Sequence, residues 1–280
     1  MLKSILLVVD GRFATHASID LAIGWARQAG GTLGVLGVID EDKVYTREAV
    51  PLGGGQAKRE ADAARLETQR RQIGACLDKI AAQCQAEQIR FERLEALGEP
   101  AEEIALEAQR FDLLVLPHDL SRSDTSVSAE EGLGSELWKL LHGTPRPVVA
   151  VADEKPTGGS IVIAYDGSVQ AARTVQLFED TGWGADRPVH VVSYGDDAQS
   201  AALCGQRAID FLAHHGITAT LHADASRGNV GDQLIEQAQA LDAGLMVMGA
   251  CGRSRVQEFL LGSVSRRVLD RCGLPLFLYH

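Results

Sequence analysis

At 280 residues the chain is long enough to bury the cores of two ordinary domains, and its 45% hydrophobic and 23% charged content is that of a folded globular protein, not a disordered one. A formal net charge of −11 opposes non-specific binding to nucleic acid or to an anionic membrane. Any phosphate site on this molecule therefore has to be local.

The first apolar run stops at Asp10, too short for a secretory core or a bilayer span, and reads as a strand over 5–9. No later run reaches membrane-spanning length, so a cytoplasmic location is expected. Short β-rich runs predict further strands at 33–39, 89–94, 113–116 and 148–151, with helical patterns between them. In one of those helices Ile73, Leu77, Ile80 and Cys84 recur by three- and four-residue steps, which puts them on one core-facing stripe. Residues 42–56, with Gly53, Gly54 and Gly55 ahead of a charged helix, have the composition of a mobile loop or lid. After a linker-like stretch with Pro156, Gly158 and Gly159, strands are predicted at 161–165, 189–193, 218–222, 245–248 and 276–279.

The second half repeats the first. SILLVVDG, from Ser4 to Gly11, recurs as SIVIAYDG from Ser160 to Gly167, and FDLLVL at 111–116 recurs as AGLMVM at 243–248. Gly134-Ser135 precedes Pro147 by the same separation as Gly262-Ser263 precedes Pro275. Strands alternating with helices imply βαβ crossovers and, in each half, a parallel sheet covered on both faces, giving domains at 1–153 and 159–280. Each half ends in an apolar strand on a presumed sheet edge, where pairing with another strand is favoured. The five cysteines include no C-x-x-C pair and no histidines at metal spacing, and read as reduced thiols.

The richest motif follows the predicted strand at 245–248. Gly249 ends that strand, Gly252 can supply a positive φ that gathers backbone amides into a concavity, and after nine residues Gly262-Ser263 opens a helix. The first turn of such a helix carries unpaired N–H groups and the positive end of its dipole, which suit phosphate oxygens without a dedicated lysine. The plain alternative is a loop shaped by Gly249 and Gly252, with Ser263 capping the helix. Cys251 lies within this loop, so its modification could block the site.

This G-x2-G-x9-G-[ST] pattern, in its strand and helix context and with the local wording GRS…LLGSVS, resembles the nucleotide-binding signature of the universal stress protein family. The resemblance covers the chain as two copies. It implies an α/β fold of two tandem doubly wound five-stranded parallel sheets of order 3-2-1-4-5, with ligand bound where the order reverses, outside the strands' carboxyl ends. It also implies that ATP, with or without Mg2+, is held in the second half. There Asp166, beside Gly167, would contact the ribose or adenine, with a metal-bridging role left open; the alternative is a turn through Gly167 and Ser168. Ser263 and Ser265 would donate to phosphate, with the amides around Gly262 and Val264 completing the shell and Arg253 and Arg255 adding positive charge. Val191 or Val192 would lie against adenine, and 227–232 would start the third helix of that half and close one side of the crevice. By resemblance to dimeric relatives, the halves would pack as an intramolecular pseudo-dimer through their last strands, leaving a homodimer open.

The first half departs from the pattern. Pro117 stands where Gly249 does, Leu120 stands where Gly252 does, and Asp124, Glu130 and Glu131 bring negative charge near any phosphate, so tight ATP binding is not expected there. His118 and Asp119 read as a solvated turn or a different site. The function expected is that of an ATP-binding stress or signalling protein that uses nucleotide as a signal to an unknown protein partner. The alternatives are a non-nucleotide scaffold and a slow ATP-hydrolysing or adenylate-chemistry enzyme, and the usual parts of fast phosphoryl transfer, such as a Walker lysine, are not legible.

Overall fold

The computed structural model describes residues 2–9, 16–45, 54–118, 135–250 and 262–280. The first half runs β1 (Ser4–Val9), α1 (His16–Ala29), β2 (Thr32–Asp40), the one-turn α2 (Glu41–Val44), α3 (Gly55–Ala86), β3 (Arg90–Gly98), α4 (Pro100–Ala108), β4 (Leu113–Pro117), α5 (Ser135–Gly143) and β5 (Val148–Val151). The second runs β6 (Ser160–Ala164), α6 (Val169–Thr181), β7 (Val189–Gly195), α7 (Ala198–His214), β8 (Ala219–Ala225), α8 (Val230–Ala240), β9 (Ala243–Gly249), α9 (Ser263–Arg271) and β10 (Leu276–Tyr279). Among the described residues no helix is long and apolar enough to cross a membrane.

The strands form one ten-stranded sheet in the order β3-β2-β1-β4-β5-β10-β9-β6-β7-β8, so each half shows the order 3-2-1-4-5 and is parallel within itself. The last strand of each half is the edge of its own five strands, and the halves join through these two strands, as the sequence suggested. They pair antiparallel in the middle of the sheet, with Leu276, Phe277 and Leu278 opposite Ala150, Val149 and Val148. The edges are β3 and β8, and both run further than expected, to Gly98 and Ala225. Their polar residues, such as Arg90, Glu92, Arg93 and Glu95 spread over both faces of β3, suit an exposed edge but hide the strand from a search for apolar runs. In the 42–56 segment, residues 42–44 are helical because the Asp40 side chain accepts from the Asp42 N–H and caps α2, and α3 begins at Gly55. Residues 46–53 lie outside the described residues.

Side chains alternate across the strands into two core layers. One face buries Ile5, Leu7, Val149, Ile163 and Phe277 together with the stripe Ile73, Leu77, Ile80 and Cys84. The other buries Leu6, Val8, Val148, Val162 and Leu276 with residues of α4, α5, α8 and α9. Each layer crosses the β5–β10 joint without a break. On the first face Trp25 of α1 stacks on Trp183 of the second half at 4.5 Å, and Phe277 meets Trp183 and Phe178 edge-on at 6.2 and 6.3 Å. Offset and edge-to-face aromatic pairs of this kind add about 0.5–1.5 kcal/mol each beyond the area they bury. The described cysteines, Cys76, Cys84, Cys204 and Cys272, are thiols and not disulfides, and burial, helped by the Glu87 charge, pushes the Cys84 thiol up to about 11.

Phe277 sits at the centre of the joint and is fully buried. Phe277→Ala should lower unfolding stability by about 3–5 kcal/mol, the usual cost of deleting a buried ring, in chemical denaturation. An unchanged midpoint would contradict this account of the joint.

Candidate functional site

In the second half the sheet order reverses between β6 and β9, and a cavity of about 210 Å³ opens there at the strands' carboxyl ends. Three helix starts converge on it through Ser168 and Ala171 of α6, Val230 of α8, and Ser263 to Ser265 of α9. Their capping differs. Ser168 Oγ accepts from the Ala171 N–H at 3.1 Å, and Asn229 Oδ1 accepts from the N–H groups of Gly231 and Asp232 at 2.9 and 3.3 Å. The N-cap of α9 is Gly262, which has no side chain to cap with, and Ser263 is the exposed first residue of the helix. The reading of Ser263 as the cap therefore fails. A helix start without a side-chain cap leaves its first amides available to an anion.

Asp166, Val192, Gly249, Gly262, Ser263, Val264 and Ser265 all line this cavity, and Gly167 stands beside it at φ +76. Gly252, Arg253, Arg255 and Cys251 lie outside the described residues. Three of the placements carry detail beyond the sequence reading. Asp166 Oδ1 accepts from the Ser168 N–H at 2.9 Å, so the turn through Gly167 exists alongside the carboxylate's place in the wall. Ser265 is almost wholly buried and its hydroxyl donates to the Gly249 carbonyl at 3.3 Å, which ties α9 to the end of β9 and makes it a poorer phosphate donor than Ser263. Gly249 is packed by the protein itself, because a Cβ there would lie 3.0 Å from the Ala171 nitrogen and 3.2 Å from the Gln170 carbonyl carbon.

The choice between Val191 and Val192 is decided by strand alternation. Val192 lines the cavity, while Val191 is buried in the opposite core layer. The same alternation puts Tyr194 on the cavity face, where its hydroxyl donates to the Gln233 carbonyl at 3.4 Å. Burial, with the charges of Asp224 and Glu236, raises the Tyr194 phenol above its ordinary value, so it stays protonated at neutral pH. Val230, Leu234 and Met248 add apolar lining. Val230 falls in the 227–232 segment expected to start the third helix of this half and close one side of the crevice, and it opens α8 there. Sequence reading missed Tyr194 and Leu234; the two-residue step from Val192 would have found Tyr194, whereas Leu234 depends on how α8 docks.

The docking of α8 on α9 rests on a charge clamp. Arg267 Nε and Nη2 donate to the two Asp232 oxygens, each at 2.8 Å, with Arg271 Nη1 3.7 Å from Oδ1. The first-half end of α9 is held differently. The Nε2–H of His118 donates to the Leu269 carbonyl at 2.7 Å, satisfying a helix-end acceptor. Asp119, expected to form a turn with His118, lies outside the described residues, as do Asp10, Leu120, Asp124, Glu130, Glu131 and Gly134.

The profile of the universal stress protein family matches residues 1–152 and again 159–280. The chain is 25% identical to universal stress protein Slr1230 of Synechocystis sp. (strain ATCC 27184 / PCC 6803 / Kazusa), over the whole of both chains. Among solved structures, a universal stress protein from Archaeoglobus fulgidus DSM 4304 superposes with TM-score 0.66 at 18% identity, covering 99% of this chain and 95% of that one. The functionally unknown protein PA1789 of Pseudomonas aeruginosa PAO1 gives TM-score 0.62 at 18% identity, covering 99% and 92%. The likeness to these two structures is one of fold.

Hydrogen bonding to Arg267, then the charges of Arg267 and Arg271, hold the Asp232 carboxyl below the usual carboxylate range. A carboxyl whose pKa is lower folded than unfolded stabilises the fold above its unfolded value, and that contribution is lost as pH falls through the folded value. The urea midpoint of the wild type should therefore drop more steeply below about pH 4 than that of Asp232→Asn. Parallel pH curves would show that the clamp does not contribute.

Proposed function

The chain belongs to the universal stress protein family, and from that premise we propose that its second half binds an adenine nucleotide and uses it as a conformational signal. The observation that carries this reading is the start of α9, without a side-chain cap, at a cavity lined by both polar and apolar residues. The residues fit ATP. The amides around Gly262 to Ser265 and the Ser263 hydroxyl would hold phosphates, with Gly252 and Arg253 of the preceding loop expected to help. Asp166 would take the ribose or a Mg2+ ion. Val192, Val230, Leu234 and Met248 would flank the base.

The signal would travel along α9. Because β10 runs antiparallel to β5, the strands of the two halves point in opposite directions, and their carboxyl ends lie at opposite ends of the sheet. Helix α9 spans that distance, starting at the second-half cavity and ending beneath His118 at the close of β4. A nucleotide that draws in the first turn of α9 would act on the His118 contact, and so on the half whose own loop carries Pro117 and Leu120 in place of the glycines. The working units are residues 1–153, as the reader of that movement, and 159–280, as the nucleotide holder. A protein partner would read the result. A cytoplasmic setting and a homodimer are part of this proposal. Among the described lining residues the one ionisable carboxylate is Asp166, already engaged in its turn, which favours retention of the nucleotide over rapid turnover.

Isothermal titration of ATP with Mg2+ into the intact chain should give one site. Ser263→Ala should weaken it about tenfold, the worth of one hydrogen bond to a charged group, and Gly252→Leu should abolish it. Absence of heat and of any bound nucleotide in the wild type would contradict the proposal and favour a scaffold that binds no nucleotide.

A further inference from the structure

The sheet face that forms the cavity continues outward over β7 and β8. His190 lies two residues before Val192 on β7 and so shares its face, while His222 of β8 stands in register with Val192. Leu221, the neighbour of His222, packs into the opposite layer. The two imidazoles therefore meet on the same face, half-buried, with His190 Nδ1 3.1 Å from His222 Nε2.

Two ring nitrogens this close can share one proton or one metal ion. At an ordinary metal–imidazole bond of about 2.0–2.1 Å, nitrogens 3.1 Å apart subtend an angle of roughly 98° at the metal, between the square-planar and tetrahedral values. We propose that His190 and His222 chelate one borderline divalent transition-metal ion of the Zn2+, Ni2+ or Cu2+ class, with water completing its shell. A small rotation of each ring turns both lone pairs from each other toward a common point. Each ring is borne by a different strand of a paired sheet, so the two ligands are pre-positioned and little conformational freedom is lost on binding. Burial, then the nearby His222, lowers the pKa of His190, which favours the neutral ring that a metal requires. Among the described residues no group of three or more histidine, cysteine, aspartate or glutamate side chains is placed to hold a metal. The site is thus an open, two-ligand one. Imidazole ligands select these ions over Mg2+, which prefers oxygen donors, so this site is chemically separate from any Mg2+ that accompanies a nucleotide.

The test is titration of Zn2+, and separately Cu2+, into the tag-free full chain with no nucleotide present. The wild type should bind one equivalent that a large excess of Mg2+ does not displace. His190→Ala and His222→Gln should each weaken it at least tenfold, because a single imidazole cannot chelate, and the double variant should remove what remains. His142→Asn, which alters the other paired imidazoles, His142 and His280, should leave it intact. Histidine side-chain NMR of the unmodified protein gives a reading that does not depend on any variant folding. Of the eight histidines, only His190 and His222 should shift on adding Zn2+. No metal binding by the wild type, binding that survives either substitution, or shifts at other histidines instead would overturn the assignment.

Discussion

Everything distinctive about this molecule depends on the antiparallel pairing of β5 with β10. Both strands are buried on both faces, and their pairing turns two five-stranded sheets into one sheet of ten. Unpaired, these strands would leave two rows of backbone donors and acceptors on apolar edges, an arrangement prone to aggregation. Paired, they let each core layer run unbroken from one half to the other, sealed on one side by the Trp25–Trp183 stack and Phe277. Antiparallel pairing also fixes how the two halves face. Their strands' carboxyl ends lie at opposite ends of the sheet, and α9 runs from the second-half cavity to His118 at the end of β4.

That geometry gives a division of labour a physical basis. The second half has a cavity at its switch point and glycines at 249 and 252; the first shares the strand order and the Gly-Ser pair at 134–135 but carries proline and leucine at the matching loop positions. The contact from His118 to the Leu269 carbonyl places a first-half side chain on the far end of the helix that would grip the phosphates. In the proposed signalling, a shift at Ser263 would pass along the helix axis to Leu269. The Asp232–Arg267 ion pair ties α8 to α9, and α8 carries Val230 and Leu234 in the cavity wall.

Much of this was legible in the sequence, for identifiable reasons. Internal duplication located ten strands, because buried parallel strands are nearly continuous apolar runs, as at Leu113 to Leu116 and Leu245 to Met248. The ends of β3 and β8 were not legible, since an edge strand mixes charged and apolar residues. Nor was the antiparallel joint readable from pattern alone, because an apolar edge strand looks the same whether it is covered by a second chain or by its own repeat. At the candidate site, the residues set by local backbone were found: Asp166 and Gly167 at a strand end, and Gly262 and Ser263 at a helix start. Those set by docking were missed or misassigned. The Ser265 hydroxyl turns to Gly249 because α9 lies against the end of β9, and Leu234 enters the wall because α8 is clamped to α9.

Hydrogen–deuterium exchange with and without ATP and Mg2+ tests the central claim most directly, because it reads both ends of α9 in one experiment. The account predicts slowed exchange at the first turn of α9, around Val264 to Arg266, together with a change near His118 in the first half. Nucleotide binding that leaves the amides of α9 and the His118 region unaltered would contradict it.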